Sequence, residues 1–403
     1  MNSAVPPVAF AITTPAGGTT PDSTTVIKGT GWVDLAEIRL TASGQSLAIT
    51  WTSKNAWSVT VPVQPGANTI SLSAYDREGL LIGTSTVAVT GTGTSAPASA
   101  SNLAVSEVMY HPAPSTAAEI TAGFADEEQF EFVELVNTSA TLTVDLTGAA
   151  FTDGIAVTLP ATTVPAGGRI VIPRNPAAFA FRYGAGISTG AGFGTSTSPA
   201  LSNSGETLLL KAADGQTIST FTYSDTAPWP EDADGAGYSL TAIRPGKTDP
   251  AAVASWRTSA ALGGTPGKDD RIPLSTWLAG FSLTDANSDS DADGLPALIE
   301  YTAGYSPIVA GPGAPVSIQT VLENDAIFPV VSFVQKIGTD DADLTAEVST
   351  ELAAWSASQP DRVRYLGRKN NDDATETVRF QSATPISPAG PRQFLRFRAS
   401  TVP

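Results

Sequence analysis

The sequence has no cysteine and a single histidine, His111, among 403 residues. The first absence excludes disulfides, thiolate zinc sites, iron–sulfur clusters and cysteine nucleophiles. The second excludes multi-histidine metal centres and leaves at most one histidine to act as a general base. His111 follows a strand beside Pro112, where a turn residue is the simpler reading. Basic residues are scarce, 22 against 39 acidic ones, for a formal charge of −17. So acidic a chain repels a phosphate backbone, so nucleic acid is not an expected partner. No apolar run approaches the ~20 residues of a membrane-spanning helix. The opening Met1–Pro7 lacks the basic and hydrophobic regions of a signal peptide. Either the chain is cytoplasmic or its export signal lies upstream of Met1; the modules below favour the second, at the cell surface or outside the cell.

What is abundant is turn chemistry: 36 glycines and 30 prolines, with Thr and Ser throughout. That mixture suits short strands joined by turns. The expected fold is mainly β, tandem immunoglobulin-like β-sandwiches with a short helix-loop-helix calcium segment. Residues 1–93 read as the first sandwich, from strands at Thr25–Ile27, Glu37–Leu40, Leu47–Trp51, Trp57–Val61, Thr69–Tyr75 and Thr86–Val89. Trp57, Val59, Val61 and Val63 alternate onto one face. The run Gly91–Ser101, GTGTSAPASAS, reads as flexible by composition, and residues 94–102 are assigned as the linker. Residues 103–268 form a second β-rich unit, 269–310 the helical calcium segment and 311–403 a last β-module. Leu274, Trp277, Leu278 and Phe281 have helical spacing, as do Leu298 and Ile299 after Pro296.

In the second unit, the strands Leu103–Met109 and Glu131–Asn137 resemble the first two strands of bacterial lamin-tail domains. Val144–Gly148, Phe151–Gly154, Val164–Gly168, Leu201–Glu206, Pro228–Pro230 and Gly264–Gly267 extend the resemblance in order over residues 103–267. It implies an immunoglobulin-like sandwich acting as an accessory module. In the first unit, Glu37–Arg39, Trp51–Ser53, Trp57–Pro62, Pro65–Thr69 and Tyr75–Arg77 resemble a module that follows the kinase-like domain of spore-coat CotH-type secreted proteins. That resemblance places any phosphotransfer chemistry outside these residues. The last module resembles the small β-module closing large secreted bacterial proteins.

Asp289-Ser290-Asp291-Ala292-Asp293-Gly294-Leu295-Pro296-Ala297-Leu298-Ile299-Glu300 fits the twelve-residue calcium pattern D-x-D-x-D-G-x₅-E at every defined position. A hard cation takes six to eight oxygens, so alternate carboxylates wrap one turn of loop around it. Asp289, Asp291 and Asp293 supply carboxylates, Leu295 its backbone carbonyl, and Glu300 the closing pair of oxygens. Gly294 permits the bend, and water completes the vertex at Ala297. Proline suits the first turn of a helix, so Pro296 is tolerated. The loop resembles the single loops of thrombospondin type-3 and dockerin modules, which implies a structural ion. The alternative is a solvated acidic linker.

Other candidates read as structure. Asp126, Glu127, Glu128, Glu131 and Glu134 form the densest acidic group outside the loop. Paired carboxylates serve glycoside hydrolysis, but Glu131 and Glu134 are three apart and fall on opposite faces of a strand. A solvated edge or a weak second cation site is the expectation. Glu231–Gly235 echoes the calcium loop but lacks its first and last acids and reads as a turn. Trp51 and Trp57 are assigned to the core; Trp32 is the candidate for an exposed sugar-binding face. Arg392, Arg396 and Arg398 on the final strand are expected to point outward.

The sequence thus predicts a non-enzymatic extracellular multi-module region with calcium stiffening one joint. The partners expected are surface or extracellular polysaccharide or another protein module. The alternatives are a polysaccharide-binding ancillary region of a larger secreted enzyme, and a hydrolase using carboxylates alone.

Overall fold

The computed structural model describes residues 8–194, 200–357, 362–387, 390 and 392–402. Met1–Pro7, read above for an export signal, lies outside the described residues. The described chain is mainly β, with three sandwich-like units in sequence.

In the first unit, one sheet runs Ala11–Thr14, Thr24–Thr30, Ala56–Pro62, Thr50–Ser53, and faces another built on Gly66–Tyr75 and Leu81–Gly91. Trp57, Val59, Val61 and Val63 are buried together against Ile38, Leu72 and Ala74. The period-2 alternation thus sets the core face. The Trp57 ring covers Gly29 so closely that an added Cβ would lie 2.2 Å from it. Its indole nitrogen donates to the Thr30 carbonyl at 2.8 Å.

The segment Leu47–Trp51 departs from the expected single strand. Ser46–Leu47 pairs in one sheet and Thr50–Ser53 in the other, so the chain changes sheets at this corner. Trp51 is therefore 42% exposed rather than part of the core, and Trp32 is half-buried.

The expected linker also differs. Ser95–Pro97 is a strand, pairing in parallel with Thr143–Asp145, and Ala96 and Ala98 are buried. Small residues read as flexible by composition, yet alanine fits where two sheets approach closely. The two sandwiches also meet through Ser23, whose hydroxyl donates to the Asp145 carboxylate.

The second unit stacks the five-stranded sheet Arg169–Pro173, Phe132–Asn137, Leu103–Met109, Leu240–Ala242, Trp256–Thr258 on a four-stranded one around Thr207–Lys211. Their joint core includes Val108, Val133, Leu135, Phe151, Leu210 and Trp256.

Two short helices follow, Leu274–Gly280 and Ala297–Ala303. They pack through Leu274, Leu278, Leu298 and Tyr301, joined by Ala342 of the last unit. That unit has a four-stranded sheet in the order Val316–Glu323, Ala326–Lys336, Thr375–Ser382, Val363–Asn370. Against it, among the described residues, lie the two strands Ala342–Ser349 and Phe394–Thr401.

The second and last units share a buried ion cluster. Arg257 is fully buried and donates to Asp340 (2.7 Å) and Asp270 (2.6 Å). Burial opposes the guanidinium charge, and the Asp340 and Asp270 carboxylates overcome it, holding Arg257 well above its ordinary pKa. Arg244 reaches Asp343 at 2.6 Å, and the Asn370 amide donates to Asp232 at 2.9 Å. Asp341 accepts from the Leu274 amide at 2.9 Å, giving the first helix a partner that its own Pro273 cannot supply.

Removing one partner of a buried ion cluster leaves an uncompensated charge in low dielectric. Arg257→Ala is expected to destabilise the protein by about 3–5 kcal/mol. Urea denaturation checks this; a loss below about 1 kcal/mol would show that the cluster holds little.

Candidate metal centre

The loop joining the two helices is shaped by its own side chains. The Asp293 amide donates to Asp289 and Asp291 (both 3.2 Å), the Gly294 amide to Asp289 (3.0 Å) and the Leu295 amide to Asp293 (2.8 Å). Gly294 takes a φ of 92°, which glycine adopts at no steric cost. Ala292, at φ 61°, is left-handed without that freedom, a strained position fixed by its surroundings. The amides of Ala297 and Leu298 donate back to Ser288 and Ala286 (both 2.8 Å), closing the loop at its base.

One carboxylate oxygen each from Asp289, Asp291 and Asp293 comes within 4.8 Å of the others; no other such acidic or histidine group occurs among the described residues. Glu300, on the second helix, is buried. Neither of its carboxylate oxygens has a hydrogen-bond partner, and Oδ2 of Asp291 is buried and unpaired as well. Burial pushes the Glu300 carboxyl up to about 7, with the charges of Asp291, Asp293 and Asp289 adding to the shift. A buried carboxylate without a partner is costly, and three neighbouring acids worsen it. A bound divalent cation would relieve all of these at once, so the residues fit calcium. Leu295 is half-buried within the same turn. Asp293 also accepts from the Gly311 amide at 2.7 Å, which ties the loop to the segment entering the last module.

The lone histidine and the acidic turn take structural roles. His111 Nδ1 meets Asp234 at 2.5 Å in a partly exposed pair that bridges Glu231–Gly235 to the sheet. That segment is a short 3₁₀ turn, as expected. Arg392, Arg396 and Arg398 are all exposed; Arg396 also pairs with Glu347 at 2.6 Å and covers the Trp355 ring at 4.1 Å.

The expectation of a solvated acidic edge is overturned: Glu131 and Glu134 are both fully buried. Glu131 accepts from the Leu201 amide at 2.9 Å, and Glu134 from Ser106 (2.7 Å), Arg169 (2.7 Å) and the Gly267 amide (2.5 Å). Sequence reasoning missed Glu107, which stands directly opposite Glu134 in the ladder and accepts from Ser239 (2.5 Å) and the Thr265 amide (2.7 Å). These carboxyls seat the Gly264–Gly267 segment on the sheet. The signal for it was Glu107 itself, the one charged residue of the mainly apolar strand Leu103–Met109.

Burial, then the Glu134 charge, pushes Glu107 from its ordinary 4.5 up to about 8. The folded state therefore holds this proton more tightly than the unfolded chain. The resulting stability is fully present below about pH 4.5 and is lost as pH rises through about 8. Glu107→Gln keeps the accepting oxygen and cannot ionise. Its urea midpoint is expected to gain on wild type between pH 5 and pH 9, and equal differences at both pH values would contradict the assignment. Glu131, pushed to about 8 by burial, should leave a residual slope in the variant.

No curated protein matches the sequence. Among solved structures, the Bacteroides ovatus mixed-linkage glucan utilization locus protein SGBP-B, solved with a mixed-linkage heptasaccharide, shares 12% identity over 46% of this chain, with a TM-score of 0.16. The alignment covers 50% of that protein, so the chain spans about half its length. A DUF4784 family protein from Bacteroides caccae shares 10% identity over 92% of this chain and 84% of its own, with a TM-score of 0.20. An auxiliary nutrient binding protein from Bacteroides thetaiotaomicron shares 9% over 93% and 97%, with a TM-score of 0.17. At these scores none of the three informs the function of this chain. The family comparison is specific: residues 96–225 match the family described as Lamin Tail Domain, and the second sandwich carries this immunoglobulin-like domain.

Proposed function

We propose that this chain is a non-catalytic, multi-module region of a bacterial surface or secreted protein, with one structural calcium bound by Asp289, Asp291, Asp293, the Leu295 carbonyl and Glu300. The observation that carries the calcium reading is Glu300: a buried carboxylate with two unpaired oxygens, beside three clustered aspartates. Support for a non-catalytic role is chemical. The lone histidine is tied to Asp234, and the carboxylates that resembled a hydrolytic pair are committed to hydrogen bonds inside the sandwich.

Calcium would work locally here. The Arg257 cluster and the Asp341 contact fasten the last module to its neighbours without metal. What the ion would organise is the turn itself and, through Asp293, the approach to Gly311. Neutralising the acids removes their repulsion and fixes a segment with little core of its own.

Titration calorimetry tests the site. Wild type is expected to bind one calcium, Glu300→Gln to bind at least about tenfold more weakly, and the Asp291→Ala/Glu300→Ala double variant not to bind. Unchanged affinity in the double variant would dismiss the site. Limited proteolysis tests the local role. In chelator, cutting within residues 284–293 should increase while the two fragments stay associated on gel filtration. Equal cutting with and without calcium would refute an ordering role.

A further inference from the structure

The last module is an unequal sandwich. Val316, Ile318 and Leu322 stand opposite Phe333, Val331 and Ile327 in the ladder, so all share the face that forms the core. Val331 and Phe333 are buried, yet Ile318 is 60%, Leu322 70% and Ile327 47% exposed. An edge strand with its apolar side turned to the core should be covered.

The uncovered face follows from the opposing layer, which has only two strands among the described residues. Phe397 of the final strand packs on Phe333 and Phe380, at ring separations of 5.5 and 5.8 Å. That strand therefore lies over the two central strands and stops one strand short of the sheet edge. Its pairing partner, Ala342–Ser349, lies toward the far side, against Val363–Asn370. Among the described residues Phe394–Thr401 pairs with no other strand; Ala399, toward its end, packs against the two helices, which leaves the stretch beginning at Phe394 open on the side of Val316–Glu323. A hollow runs there, lined by Ile318, Thr320, Pro329, Ile386 and Leu395.

We propose that this groove is an acceptor for one extended peptide strand, which hydrogen-bonds to the free edge of Phe394–Thr401 and lays alternate apolar side chains on Ile318 and its neighbours. Strand addition of this kind draws affinity from main-chain bonds and specificity from alternate side chains. The occupant is a single strand, not the matching edge of a second copy. In a face-sharing two-fold pairing, the sheet beneath would collide with its copy, because Val316–Glu323 protrudes one strand beyond Phe394–Thr401. Charge sets the intervening positions. Arg392 and Arg398 are exposed and have no ion-pair partner among the described residues, and Arg398 alternates with Phe397, placing it on the outer face. A strand beside it should carry acidic residues outward. The partner is thus an extended acidic segment with apolar residues at every second position.

The test uses the full chain and a labelled peptide of about ten residues alternating valine and glutamate, read by fluorescence anisotropy. Saturable binding is expected, at least about tenfold weaker for Ile318→Lys and for a valine–lysine peptide. Arg398→Glu should shift preference toward the lysine peptide. Hydrogen exchange on wild type is a second reading that needs no variant: amides of Phe394–Thr401 should gain protection when the valine–glutamate peptide binds. Absent saturation, or unaltered exchange in that strand, overturns the proposal. So does equal binding of both peptides. Self-association that Ile318→Lys abolishes would assign the face to a second copy and overturn it as well.

Discussion

The arrangement of the C-terminal half depends on one guanidinium. Arg257 sits at the end of the second sandwich's five-stranded sheet, with Asp270 on the exit segment and Asp340 on the last module. A buried ion of one sign is costly, and two carboxylates around it convert that cost into geometry, since the planar donor fork accepts few orientations. Thr258 adds a carbonyl acceptor at 2.9 Å, completing the donor set. With Asp270 fixed, the next residues lead Ile272 onto Gly338 and the helix start onto Asp341. The acidic loop between the two helices hangs from this frame and does not create it.

Most of the fold was legible because strands advertise themselves by alternation. Trp57, Val59, Val61 and Val63 needed only period 2 to declare a core face. The acidic cluster of Asp289, Asp291 and Asp293 was legible too, because carboxylates at every second position of a tight turn converge whatever packs around them. Residue types could not reveal context. Ala96 and Ala98 look like linker residues until a neighbouring strand covers them. Trp51 looks like core until the chain changes sheets. Glu131 and Glu134 look solvated because acids usually are; both are buried because Arg174, Arg169 and backbone amides from distant segments reach them. Long-range partners of that kind leave no local trace.

Two kinds of buried acid coexist in the chain and mean different things. Glu134 is surrounded by donors, so its burial reports a finished internal network. Glu300 is surrounded by other acids and has no donor, so its burial is unbalanced as it stands. The contrast separates a structural carboxylate from a ligand-seeking one more sharply than exposure does, since both are inaccessible to solvent.

The Ser95–Pro97 strand also limits how the first sandwich can move. A free connection would add up to about 3.4 Å of reach per residue and let the neighbouring domain swing through a wide cone. Here those residues are spent on pairing with Thr143–Asp145, and the Ser23 hydroxyl grips the end of the same strand. The first two sandwiches are consequently joined by strand pairing as well as by the chain itself, which leaves the connection no slack for one to turn freely against the other.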